Sequence, residues 1–312
     1  MLKSKKNKKV IYLFISIIAV IVIIIATYKI IENKKYNERK DYVISEYESV
    51  YDDEDMMHFD WKFDFDNKDY EELQEGNLYY LINRENEAVI TYYKGNEKDI
   101  VIPDTLGKHK VTMIYHDAFK KSKHIENLTI PKNIEIIGID AFSECPNLKR
   151  INIENGVNTI GDMAFCGNEK LKSINIPNSI ENYGTFVFGG NFSLTDVKFE
   201  EDLTKIADSI FLNCKSLDSI TIPHSVKTIE TLALSGTNIK NLDIPQGVET
   251  IGDEVFSNCN NLESITIPKS VKKIGNNLFY KCKNKVIIYG EKGSYAEIYA
   301  KDKGIEFKEI ER

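Results

Sequence analysis

Five cysteines, five histidines and a dense acidic run are the parts of this 312-residue chain whose side chains could do chemistry. Cys145, Cys214, Cys259 and Cys282 each stand three residues after a phenylalanine, and Cys166 falls outside that pattern. No C-x-x-C pair occurs, so the ligand spacing of a zinc knuckle is missing. Five thiols do not make a paired disulfide framework, although Cys259 and Cys282 could bridge if their stretches lie side by side. Residues 64–75, DFDNKDYEELQE, put Asp64, Asp66 and Glu75 at positions 1, 3 and 12 of a calcium loop. Lys68 then sits at position 5, Asp69 replaces the turn glycine and Glu71 the apolar residue, so a solvated acidic segment accounts better for the charges. His58, His109, His116, His124 and His224 belong to no H-E-x-x-H, and neither G-x-S-x-G nor G-x-x-x-x-G-K-[ST] occurs. No catalytic, metal or cofactor residue emerges, and the chain does not read as an enzyme.

What positions these residues is a repeat. Ile125, Leu148, Leu171, Leu194, Leu217, Ile239 and Leu262 are spaced 23, 23, 23, 23, 22 and 23 residues apart. Phe119, Phe142, Phe165, Phe188, Phe211, Leu234, Phe256 and Phe279 keep the same register. The shared pattern is L-x-x-I-x-I-P-x-x-V-x-x-I-G-x-x-A-F-x-x-C-x-x. Its opening alternation predicts a short strand with one buried face, ended by a proline that cannot donate to a ladder. Val-x-x-Ile predicts a second inward pair. Gly138, Gly161, Gly184, Gly252 and Gly275 then mark where a tight turn is expected. One such unit cannot bury its own apolar face, and stacking on its neighbours does so. The expected fold is therefore an α/β solenoid, β-rich and right-handed, of about eight 23-residue coils. At about 4.8 Å per strand the stack would be roughly 40 Å long.

Two side chains per coil point out from the opening strand. They are Asn127/Thr129, Arg150/Asn152, Ser173/Asn175, Asp196/Lys198, Ser219/Thr221, Asn241/Asp243 and Ser264/Thr266. Solenoids present this face to partners. Here it is small and polar, without the Trp, Tyr or Arg anchors of strong hot spots. It reads either as a weak or multivalent binding face or as a polar ladder that keeps the sheet soluble. Its candidate binding residues are Arg150, Asn152, Ser173, Asn175, Asp196, Lys198, Ser219, Thr221, Asn241 and Asp243.

The motif recurs as IPKNIEIIGIDAFSEC (130–145), IPQGVETIGDEVFSNC (244–259) and IPKSVKKIGNNLFYKC (267–282). It resembles the BspA-like leucine-rich repeat family over about residues 77–310. The resemblance implies a leucine-rich-repeat fold and a bacterial surface or secreted protein, with adhesion to host matrix proteins or other bacteria among its roles. It also implies that the Cys/Asn position is buried and satisfies neighbouring backbone. It carries over no catalytic residue.

The ends differ from the repeats. Residues 77–99 read as a β cap, with two strands around a polar turn at 84–87, and residues 100–284 as the repeats. Residues 285–312 read as a C-terminal cap, in which Ser294 and Glu297 form a capping box and Gly304 stops the helix. Residues 1–9 carry five lysines and residues 10–28 no charge, which predicts one transmembrane signal anchor behind a short cytoplasmic tail. Residues 29–76 read as an acidic stalk, with a strand-like alternation in FDWKFDF (59–65). Residues 1–41 have a net charge of +7 and the remainder −14, for −7 overall. An acidic chain is a poor partner for nucleic acid. The expectation is a single-pass protein of the cell membrane, N-terminus cytoplasmic and repeats extracellular. It would act as a scaffold for protein or glycan partners or, alternatively, as a structural spacer of the cell envelope.

Overall fold

The computed structural model describes residues 71–310. One period of sequence becomes one step sideways. Asn127 pairs with Arg150, Arg150 with Ser173 and Ser173 with Asp196, all on parallel strands. At the N-terminal end β1 (Leu73–Glu75), β2 (Leu78–Ile82) and β3 (Ala88–Tyr93) form an antiparallel meander. The first coil holds β4 (Asp99–Val101), β5 (Thr105–Leu106) and β6 (His109–Ile114). A front strand then alternates with a two-residue back strand. The series is β7 (Asn127–Ile130), β8 (Ile136–Ile137), β9 (Arg150–Ile153), β10 (Thr159–Ile160), β11 (Ser173–Ile176), β12 (Asn182–Tyr183), β13 (Asp196–Phe199) and β14 (Lys205–Ile206). The coil opened by Leu217 keeps only its back strand, β15 (Thr228–Ile229). Then come β16 (Asn241–Asp243), β17 (Thr250–Ile251), β18 (Ser264–Thr266) and β19 (Lys273–Ile274), and finally β20 (Ile287–Gly290), the helix α1 (Tyr295–Lys303) and β21 (Glu306–Glu309).

The stack has about ten turns where eight were expected. The extra turns lie at the ends and break the period. Asp99 pairs with Asn127, 28 residues on, and Ile287 with Glu306, 19 residues on. A 23-residue template cannot see them. The cap also begins before residue 77, because Leu73–Glu75 already pairs with β2. Among the described residues no helix is long and apolar enough to cross a membrane. The expected anchor at 10–28, the tail before it and FDWKFDF all lie outside the described residues.

The repeated phenylalanine is the spine of the core. Phe119, Phe142, Phe165, Phe188 and Phe211 stack face to face, with ring centroids 4.7, 5.3, 5.4 and 6.1 Å apart, and all are buried. Tyr93 of the cap continues the stack onto Phe119 at 4.9 Å. Leu234 interrupts it, and Phe256 and Phe279 resume it at 6.2 Å. Offset stacking at these distances adds to the apolar area each ring buries.

The glycine after the second inward pair has a different role from the one expected. Gly138, Gly161, Gly184, Gly252 and Gly275 do not take left-handed backbone angles. Their missing Cβ lets adjacent coils touch: a Cβ on Gly161 would sit 2.6 Å from the amide nitrogen of Ile139, one coil below. The turn is made two residues later, at left-handed Asp140, Met163, Glu254 and Asn277, and again at Glu144, Gly167, Asn258 and Lys281.

Both ladders break beside the coil opened by Leu194, the back one before it and the front one after it. The front strands form one sheet ordered β13-β11-β9-β7-β4 and another ordered β16-β18-β20-β21. The back strands, with the cap, run β1-β2-β3-β6-β8-β10-β12 and then restart as β14-β15-β17-β19. The coil opened by Leu194 departs most from the motif. Glu200 takes the proline slot, Asp202 is left-handed at φ 80°, and Ala207 takes the glycine slot. Gly184 donates to Ile160 and Glu230 to Ile206, but the corresponding bond from Ala207 to Tyr183 is absent. On the front, Phe199 replaces the usual isoleucine and packs edge-on against Phe211 at 6.1 Å. β13 has no strand partner on the side of the next coil.

Candidate binding face

The outward strand residues form two parallel rows on the five-stranded front sheet. One runs Asn127, Arg150, Ser173, Asp196 and the other Thr129, Asn152, Asn175, Lys198. Together they line a shallow depression of about 320 Å³. Arg150, Asn152, Asp196 and Lys198 are exposed there, and Ser173 and Asn175 half-buried. Within it Lys198 Nζ lies 3.9 Å from Asp196 Oδ2. At the upper edge Asn127 donates to Asp99 on β4.

The face is not continuous, contrary to the expectation of two outward slots on every coil. Ser219 and Thr221 lie in the coil whose front strand is lost, beyond β13. Ser219 lines a separate depression of about 550 Å³ with Asp218, Asn238, Lys240, Asn261 and Glu263. Asn241 and Asp243 lie on β16 of the second front sheet, and Asn241 accepts a hydrogen bond from Ser264 Oγ at 2.7 Å. Six of the ten candidates therefore share one site, and four do not.

The four cysteines of the repeat position face the interior. Cys145 Sγ donates to the carbonyl of Phe119 at 3.3 Å, Cys214 to that of Phe188 at 3.2 Å, Cys259 to that of Leu234 at 3.2 Å and Cys282 to that of Phe256 at 3.0 Å. Asn168 and Asn191 reach the equivalent carbonyls, of Phe142 and Phe165, from the same position. Burial pushes the thiols of Cys145, Cys214 and Cys259 up to about 12. These groups stay protonated and unreactive. Cys259 and Cys282 are both free thiols, and no bridge joins their coils.

A second polar ladder escaped the sequence reading. His116 Nδ1 accepts the N–H of Ile139 at 2.9 Å, Asp162 Oδ1 that of Thr185 at 2.6 Å, and Asp253 Oδ1 that of Asn276 at 2.6 Å. The signal was the polar residue directly after Ile-Gly in IGD, visible at 162 and 253. His116 accepts only when neutral at Nδ1. Burial lowers its pKa below the usual histidine value, against the opposing pull of Asp117 and Asp140. A folded pKa below the unfolded one leaves the full contribution in place above about pH 6.5, and it is lost as pH falls from there. His116→Asn keeps an acceptor that does not titrate. Its denaturation midpoint is expected to fall less between pH 7.5 and 5 than that of the parent chain, with little change at pH 7.5. An equal acid loss in both chains would remove His116 from the account.

Among the described residues no three His, Cys, Asp or Glu side chains converge as a metal site. His109 Nδ1 lies 2.9 Å from the carbonyl of Asn86, and His124 and His224 are exposed. The histidine at 58 and the carboxylates at 64 and 66 fall outside the described residues.

Stacked parallel strands, an internal phenylalanine spine and a Cys/Asn ladder define a leucine-rich-repeat solenoid. The family model for the BspA type leucine rich repeat region matches residues 112–236 and 184–301, with six copies. Together these cover more than half of the chain, and the chain belongs to that family. A leucine rich cell surface protein of Faecalibacterium prausnitzii A2-165 superposes with a TM-score of 0.55 at 27% identity, over 70% of this chain and 76% of its own. The leucine rich repeat protein of T. pallidum matches with a TM-score of 0.49 at 21% identity, over 76% of this chain and 98% of its own. No curated protein matches the chain in sequence.

Proposed function

We propose that the chain is a membrane-anchored, extracellular binding scaffold that holds a protein or glycan partner on the front sheet. The observation that carries this reading is the depression across β7, β9, β11 and β13. Its exposed side chains, Arg150, Asn152, Asp196 and Lys198, are the ones not consumed by the core. Both charge signs and several amide groups meet within it, which suits hydrogen-bonded recognition better than apolar anchoring. Membership of the family supports a protein-binding role. The similar F. prausnitzii protein is a cell surface protein, which supports the location. The lysine-rich tail and uncharged residues 10–28 support anchoring, with the repeats outside.

The spacer reading has its own support. Asn127 to Asp99 and Ser264 to Asn241 are hydrogen bonds between neighbouring outward slots, as a self-satisfied ladder would make. The test is capture of surface proteins and glycans by a purified 42–312 fragment. A fragment with Arg150, Asn152, Asp196 and Lys198 all changed to Ala is expected to lose at least about tenfold in affinity for whatever the parent retains. Equal retention by both would reject the front face. Protease treatment of intact cells is expected to release a fragment beginning near residue 42, and protection of the repeats would reject the topology.

A further inference from the structure

We propose that the C-terminal end of the stack is a peptide-docking site that takes an acidic, aromatic-bearing segment as one further coil. Internal coils offer backbone N–H groups at three alternate positions to the next. Asp140, Phe142 and Glu144 donate to the carbonyls of Asp162, Ala164 and Cys166, and Glu254, Phe256 and Asn258 to those of Asn276, Leu278 and Tyr280. The equivalent groups of the last full coil are Asn277, Phe279 and Lys281. Among the described residues these three find no acceptor.

The C-terminal cap covers the other half of that coil. α1 packs on β19, β20 and β21, and its Tyr299 hydroxyl takes the N–H of Leu278 at 3.3 Å, one residue away from the open donors. Beside them lies a depression of about 700 Å³ that includes half-buried Phe279, the last ring of the spine. Among the described residues Phe279 stacks on Phe256 and on no further ring. A peptide that supplied carbonyls at every second residue, with an aromatic side chain after the middle one, would repeat what Asn276–Tyr280 does to the coil below it.

Charge sets the second requirement. Lys281, Lys283 and Lys285 follow at alternate residues with no acid between them, and all three are exposed. Lys303 also lines the depression, paired with Asp302 at 3.0 Å, and Glu306 is the one carboxylate in its lining. The edge is thus cationic in a chain with a net charge of −7. Exposed lysines beside an apolar slot favour carboxylates flanking the aromatic residue.

The probe is an acetylated, amidated pentapeptide of sequence DELFD, labelled for fluorescence anisotropy and added to the full chain in detergent micelles. Saturable binding is expected, weakened at least about tenfold when its phenylalanine becomes alanine. Hydrogen exchange across residues 277–281 is expected to slow at least about fivefold at saturation. The triple variant Lys281→Glu, Lys283→Glu, Lys285→Glu should weaken binding by a similar factor while exchange around Phe211 and Phe256 stays unchanged, which separates charge loss from unfolding. No binding at millimolar peptide, exchange at 277–281 unmoved by saturating peptide, or indifference to the phenylalanine would each overturn the proposal. The Arg150, Asn152, Asp196 and Lys198 alanine variant should bind this peptide as the parent does, so the two sites can fail separately.

Discussion

Replacing Gly161 by valine is expected to destabilise the solenoid by about 3 kcal/mol or more, seen as a lower denaturation midpoint and faster exchange in the coils on either side. The first atom of the new side chain is the problem. A Cβ at 161 would lie 2.6 Å from the Ile139 nitrogen, 2.9 Å from the Gly138 carbonyl carbon and 3.0 Å from the Ile139 Cα, all of them backbone. Backbone held by its own ladder cannot rotate away as a long side chain would. The two coils must separate, and the bond from Gly161 N–H to Ile137 O at 2.8 Å lengthens with them. Loss should spread beyond the mutated coil, because a stack owes its stability to contacts between neighbours. The molecule already contains a partial version of this change at Ala207, where the matching bond is missing and the back sheet is interrupted. Ala207→Gly is the companion experiment, and about 1 kcal/mol or less in either direction is expected from it. A Gly161→Val chain as stable as the parent would show that close approach at this slot is dispensable.

That glycine also shows what was legible in the residues alone. Its recurrence marked a backbone requirement, but two different requirements, a left-handed angle and a missing Cβ, leave the same trace. Only the position of the coil below distinguishes them. The inward residues were readable because burial repeats with the strand: Leu128, Ile151, Ile174, Leu242 and Ile265 are all buried at the predicted slot. The Cys/Asn position was expected to be buried from the family resemblance, and Cys145, Asn168, Asn191, Cys214 and Cys259 are. Phe199-Glu200-Glu201-Asp202 stands out in the sequence where other coils have Ile-Pro, but the break in the sheets beside Phe199 and Ala207 does not. Each residue is an acceptable apolar choice locally, and the consequence appears only where two coils fail to meet. The candidate face was legible slot by slot, yet its division into two sheets was not, since the outward residues carry no mark of whether their strand survives. The unoccupied donors at Asn277, Phe279 and Lys281 are invisible in sequence because they are backbone groups.

Asn168 provides the second large effect. Asn168→Leu is expected to cost about 3–5 kcal/mol, although leucine fills a comparable volume and is the more apolar residue. The side chain is fully buried and makes three hydrogen bonds. Oδ1 accepts the N–H of Cys145 at 2.8 Å, and Nδ2 donates to the carbonyls of Phe142 at 3.1 Å and Phe165 at 2.8 Å. The Phe165 carbonyl keeps a donor in Asn191 Nδ2 at 3.1 Å. The Cys145 N–H and the Phe142 carbonyl would be left without partners in a water-free interior, at roughly 1–3 kcal/mol each. Asn168→Cys separates these two groups. A thiol at this position can donate to Phe142 as Cys145 donates to Phe119, but it is a poor acceptor for the Cys145 N–H. About half of the lost stability should return, while exchange at the Cys145 amide stays fast in both variants. Equal stability of the Leu and Cys variants would mean that the lost amide, and not the unpaired carbonyl, dominates the cost. If Asn168→Leu costs less than about 1 kcal/mol, the ladder is a consequence of stacking and not one of its causes.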